Sequence, residues 1–181
     1  QYRMLRKGAT SSMYEPAINR LTADSVLLSC HSLSDKASFR LFPADVGIYA
    51  GMECCVLGFG NTREASADTG QSVQYNVRNS IYFNSSARKA ALECYVIQAL
   101  AARGYQPFFW TSGTHAKIDF VIKKEESDIP VEIKTEERSR SKSLGIYRQE
   151  NEIAYSVKIS SKNFDFTGFS KQIPYYAVFC L

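Results

Sequence analysis

The 181-residue chain has no run of about 18 apolar residues, the length that a membrane-crossing helix requires. It has no GxxxxGK phosphate loop and no GxGxxG turn, so it carries no recognisable nucleotide site of its own. No internal repeat and no low-complexity tract occurs. The five cysteines, Cys30, Cys54, Cys55, Cys94 and Cys180, lack metal-ligand spacing. Their odd number and the absence of a disulfide framework point to a reducing, cytoplasmic setting, with the thiols serving as small buried hydrophobes. The opening QYRMLRKGATSSMYEP has no continuous apolar segment, which excludes a signal peptide. It also lacks an initiator Met, as expected for the C-terminal part of a longer protein or a chain whose start was removed.

What is present is enough for a packed core. Apolar residues make up 45% of the chain, which excludes wholesale disorder. A net charge of +4 is mildly basic and compatible with a nucleic-acid partner. The length suits one medium domain or two small ones.

The most informative stretch runs from Ile118 to Lys134, IDFVIKKEESDIPVEIK. Ile118, Phe120 and Ile122 alternate with Asp119 and Val121. Ile129, Val131 and Ile133 alternate with Glu132 and Lys134. This period of two predicts two strands with the aliphatics on a buried face and Glu132 and Lys134 together on the other. The polar KKEESD between them has hairpin length. Antiparallel pairing would set Asp119 beside Glu132, two carboxylates and a lysine on one patch of sheet. Hard divalent cations take such oxygen ligands.

Before this stretch, Met13, Ala17, Ile18 and Leu21 recur at helical spacing. They predict a helix capped by Ser11 or Ser12, with Pro16 in its first turn. Strands are expected at 26–30 and 39–42 and a short helix at 45–52. That outline is winged-helix-like. Its functional reading is duplex binding. The helix is not notably basic, which favours a small packing module instead. Residues 53–84 read as a linker or excursion, turn-rich and polar in NTREASADTGQS.

SSARKAALECYVIQALAARG, from Ser85, is the strongest helix signal, opened by serines and stopped at Gly104. Leu92, Val96, Ile97 and Leu100 form its apolar stripe. Glu93 lies at the edge of that stripe. It is either a surface glutamate or a carboxylate leaning over the sheet. Strands are expected over 106–111, 153–159 and 175–181, with a loop over KNFDFTGFSKQIP and a helix over 143–149. Between Lys134 and that helix lie Arg138, Arg140, Lys142 and Ser143. They are either a solvated loop or a basic turn that binds an anion at a helix N-terminus.

Glu93, Asp119, Glu132 and Lys134 together would support phosphodiester cleavage. Asp119 and Glu132 would hold Mg²⁺ or Mn²⁺, Glu93 would add a ligand directly or through water, and the Ile133 carbonyl could complete the shell. Lys134 would orient the attacking water or neutralise developing charge. An E-x-K alone arises by chance in many strands. An acid thirteen positions before an E-x-K, both in aliphatic strands and preceded by a glutamate-bearing helix, is far more specific.

That constellation resembles the PD-(D/E)xK nuclease superfamily, whose core runs α-β-β-β-α-β. The resemblance covers about Ser85 to Ile159. It implies an α/β fold (a mixed α+β sheet) with a restriction-endonuclease-like core over 85–181, preceded by a winged-helix-like subdomain over 1–52. The sequence departs at Ile118, where the motif's proline would stand. Tyr147 and Gln149 fall on the following helix in an order that does not match the usual one.

A closer likeness lies in FRLFPADVGIYAGM, ALECYVIQAL, FFWTSGTHAKIDFVI, IPVEIKTEERSRSKSL and KNFDFTGFSKQIPYYAVFCL. These together resemble the domain of unknown function 4143, across nearly the whole chain. That domain typically follows an AAA-type ATPase domain in bacterial and archaeal proteins. The family commonly has an acid where Lys117 stands. The resemblance implies a nuclease-like C-terminal domain, with DNA and an upstream ATPase domain as partners and no membrane. Self-association as a homo-oligomer is compatible with it. The alternative is a nuclease fold kept without catalysis, as a module for DNA binding, partner binding or ATPase assembly. A transcriptional DNA-binding role of the first 50 residues is the weakest of the three.

Overall fold

A computed structural model of the chain describes residues 7–56, 85–113, 116–124, 127–135 and 142–181. The expected excursion lies outside the described residues from 57 to 84, and so do Arg138 and Arg140.

Helix α1 (Ser11–Ala23) leads into β1 (Leu27–Ser32) and β2 (Phe39–Pro43), followed by α2 (Val46–Val56). The long helix α3 (Ser85–Ala102) precedes β3 (Phe108–Thr111), β4 (Lys117–Lys124) and β5 (Ser127–Ile133). Then come α4 (Lys142–Glu150), β6 (Ser156–Ser160), β7 (Asp165–Thr167) and β8 (Ser170–Pro174). A 3-10 helix (Tyr175–Cys180) closes the chain. From α3 to β6 the order is α-β-β-β-α-β, as the residue pattern suggests.

The eight strands form one mixed sheet in the order β2-β1-β3-β4-β5-β6-β8-β7. The β1–β2 hairpin of the expected winged-helix-like start joins this sheet. His31 and Ser32 run parallel to Phe108 and Phe109 of β3. Helix α1 starts at Ser11 rather than after it. Thr10 is its N-cap and makes no side-chain capping bond. Pro16 lies in the second turn, not the first. Met13 and Leu21 of the expected apolar stripe are exposed. Ser25 turns the chain into β1 with a φ of 56°.

Two corrections concern the end of the chain. The segment KNFDFTGFSKQIP is not a loop but holds the β7–β8 hairpin, with Phe166 opposite Lys171. The expected strand over 175–181 is instead the 3-10 helix, because Ala177 and Val178 bury beside α3 and the sheet. Local β propensity loses there to tertiary packing.

Core residues cover both faces of the sheet. On one, Val96, Ile97 and Leu100 of α3 pack with Phe120, Ile122, Val131, Ile133, Val157 and Ile159. Each such fully buried side chain is worth about 1.5–3 kcal/mol. On the other, Leu144 and Tyr147 of α4 pack with Trp110, Ile118 and Val121. Cys30 and Cys94 are buried as expected, whereas Cys180 is exposed.

Candidate active site at the fork of two strands

Strands β4 and β5 pair antiparallel from Lys124↔Ser127 to Phe120↔Val131. Their pairing extends into both ends of the KKEESD connection. Asp119 and Glu132 stand one residue beyond the last of these pairs. Each is buried, and both are charged residues at positions where burial requires partners.

The strict alternation expected of β4 is broken. Its register with β3 shifts between Phe108 and Trp110. As a result Ile118 packs with Val121 on the α4 side, while Phe120 and Ile122 pack on the α3 side. Such an irregularity re-aims side chains, and here it lets Asp119 face α3. Its Oδ1 lies 2.9 Å from the Lys89 ammonium of α3. Its Oδ2 accepts the Ile133 N–H at 2.8 Å. A carboxylate thus takes a main-chain donor where a ladder carbonyl would ordinarily serve, and the two strands part at that point.

Lys89 lies one helical turn before Glu93, and its Nζ is 3.9 Å from Glu93 Oε1. Glu93 is half-buried and close enough to Asp119 of β4 to feel its charge. Its carboxyl is held above the ordinary value of 4.5 by burial first and by the charge of Asp119 second; Lys89, Arg40 and Lys117 oppose the shift.

Glu132 lies between Val131 and Ile133, which both pack on the α3 side. Its Oε1 is 3.4 Å from Lys134 Nζ. Its Oε2 is buried and has no hydrogen-bond partner among the described residues. The four expected residues therefore form two ion-paired groups, Asp119 with Glu93 through Lys89, and Glu132 with Lys134. The Ile133 amide, held by Asp119, lies between the second pair in sequence.

Lys134 is anchored by its backbone. Its N–H donates to the Ile159 carbonyl at 2.8 Å. Its carbonyl accepts the Tyr175 hydroxyl. Sequence reasoning missed both Tyr175 and Lys89. Lys89 had a faint signal, its four-residue spacing from Glu93 on a helix. Tyr175 had none, because its role depends on where the chain end returns.

Of the expected anion-binding residues, Lys142 is exposed at the start of α4. The Ser143 hydroxyl accepts the Lys117 N–H at 3.2 Å, which ties that helix start to β4 two residues before Asp119. Tyr147 belongs to the core. It stacks edge-on against Trp110 at 5.1 Å, and burial pushes its hydroxyl up to about 12.

Among the described residues, no group of three or more His, Cys, Asp or Glu side chains is gathered to hold a metal ion. Magnesium-type ions ask for less, one or two carboxylates and several waters. Glu132, with an orphaned buried oxygen, and Asp119, whose carboxylate already enters the gap between the strands, fit such an ion in donor type. No helix among the described residues is long and apolar enough to cross a membrane.

A family model described as a domain of unknown function (DUF4143) matches residues 88–178, about half of the chain. The matched span begins inside α3, so α1, α2 and the β1–β2 hairpin lie outside it. It takes in Lys89, Glu93, Asp119, Glu132, Lys134 and Tyr175. No curated protein and no solved structure matches the chain.

Proposed function

Because the chain belongs to the DUF4143 family, we propose that it is a nuclease-like domain of the PD-(D/E)xK type that hydrolyses phosphodiesters at the fork of β4 and β5. The observation that carries this reading is Glu132. It is 4% exposed, and one carboxylate oxygen has no hydrogen-bond partner among the described residues. Leaving such an oxygen bare costs about 1–3 kcal/mol, and more for a charged group. A hard cation between the strands would satisfy it.

Asp119 and Glu132 hold Mg²⁺ or Mn²⁺ in this reading, with Glu93 as a further ligand and the Ile133 carbonyl completing the shell. The bound ion would polarise the phosphoryl oxygen and activate water. Lys134 keeps its ammonium beside Glu132, where it can orient water or offset developing negative charge. The exposed Lys142, with Arg138, Arg140 and Ser143, is placed in sequence to meet the phosphates of DNA as α4 begins. An upstream AAA-type ATPase domain, a cytoplasmic setting and self-association as a homo-oligomer belong to the same proposal.

A second reading is favoured by Lys89. Its ammonium already neutralises Asp119, as expected of a fold kept as a non-catalytic module for DNA or partner binding. One experiment separates the two. The chain is incubated with plasmid and single-stranded DNA in Mg²⁺ and in Mn²⁺, beside Asp119→Ala and Lys134→Ala. Catalysis predicts cleavage by the wild type that both variants lose. A wild type that neither cuts nor binds metal in calorimetry sinks the catalytic reading and leaves the module.

A further inference from the structure

Two acids and one lysine on the α3 side carry an inference about how a cation would enter. Asp119 is fixed by the Ile133 N–H and cannot swing without leaving that donor bare. Glu93 is held on the same face of α3 as Lys89 by their four-residue spacing. Between them lies the Lys89 ammonium, 2.9 Å from one carboxylate and 3.9 Å from the other. That is where a divalent ion shared by Asp119 and Glu93 would carry its charge.

The three side chains differ in freedom. The Lys89 side chain is 30% exposed, against 7% for Asp119 and 18% for Glu93. The ammonium therefore approaches from the solvent side on a flexible four-carbon stem, while the acids form the fixed wall. A lysine there can withdraw into water once another cation takes its place.

We propose that Lys89 is a tethered counter-cation, occupying the space between Asp119 and Glu93 in the metal-free chain and withdrawing when a divalent ion binds. This rests on the metal-dependent reading above. Lys89 keeps two close acids from repelling each other before the ion arrives, and it raises the concentration of ion needed to load them. It is a positioning residue and takes no part in bond breaking.

Mn²⁺ titration calorimetry on the whole chain tests this, with wild type, Lys89→Met, Lys89→Gln and Lys89→Arg. Removing the competing charge should tighten Mn²⁺ binding about tenfold or more in the Met and Gln variants, a change of about 1.4 kcal/mol. The Arg variant, which keeps the charge, should stay near wild type. Melting should show the neutral variants less stable than wild type without metal and raised further by Mn²⁺. If the Met variant does not fold without metal, the Gln variant supplies the comparison. Mn²⁺ binding to wild type that is equal or tighter than to both neutral variants overturns the proposal and leaves the metal reading intact. Absence of binding to wild type and variants alike overturns both.

Discussion

The Asp119 carboxylate holds the Ile133 amide at 2.8 Å and so joins two strands by a side chain where their ladder ends. Its second oxygen meets the Lys89 ammonium at 2.9 Å. One residue thus ties β4 to β5 and to α3. Asp119→Ala should leave a buried N–H without an acceptor and cost about 2 kcal/mol in urea unfolding. Asp119→Asn keeps an acceptor for that amide and should cost clearly less. An alanine variant within about 0.5 kcal/mol of wild type, the range of ordinary surface changes, would show that the fork does not depend on this carboxylate.

Tyr175 bonds the Lys134 carbonyl from the first position of the closing 3-10 helix. Tyr175→Phe keeps the ring and removes only the hydroxyl, at a stability cost of about 1 kcal/mol. If Lys134 acts in cleavage, the rate should fall while Mn²⁺ affinity holds, because the Tyr175 hydroxyl bonds the backbone of Lys134. Loss of metal affinity in step with rate would place Tyr175 in the cation site instead.

Stability should respond to pH through Glu93. Burial and the charge of Asp119 raise its carboxyl above the ordinary 4.5, so the folded chain holds that proton more tightly than the unfolded chain. Ionisation then costs stability as pH rises above 4.5, and the cost disappears below it. Glu93→Gln should melt above wild type at neutral pH, with the gap closing as pH falls through the carboxyl range. Calorimetric melts across that range give the answer, and a gap that does not change with pH would count against the buried charge.

The thiols should sort by burial. Burial lifts Cys30 to about 12 and Cys94 to about 11, so neither offers thiolate under ordinary conditions. Cys180 is exposed. Iodoacetamide at about pH 8, followed by peptide mass mapping, should modify Cys180 in the folded chain and reach Cys30 and Cys94 only after unfolding. Prompt modification of Cys94 would mean that α3 opens far more readily than its packing suggests.

The charged residues at the fork were legible because charge in an aliphatic strand is conspicuous. Asp119, Glu132 and Lys134 interrupt runs that would otherwise read as plain core. Helix α3 was legible from its alanine and leucine content and its stop at Gly104, and it spans Ser85–Ala102 as expected. The β7–β8 hairpin was not legible. Its first strand is three exposed residues, including Phe166, with no buried face to impose a period of two. The closing YYAVFC has the aromatic and β-branched content of a strand, yet it coils because Ala177 and Val178 have α3 to pack against.

The sequence by itself determined that β4 and β5 would be strands and α3 a helix, and that Asp119, Glu132 and Lys134 would interrupt the aliphatic strands. Those properties are local, set by side-chain period and composition over a few residues. Only the tertiary structure decided how the acids group. The register shift against β3 turns Asp119 toward α3, where Lys89 waits from thirty positions earlier in the chain. The opening of the β4–β5 ladder leaves Glu132 with Lys134. The parallel pairing of His31 with Phe108 brings the first hairpin into the same sheet. Each depends on contacts between distant segments, whose geometry no local pattern encodes.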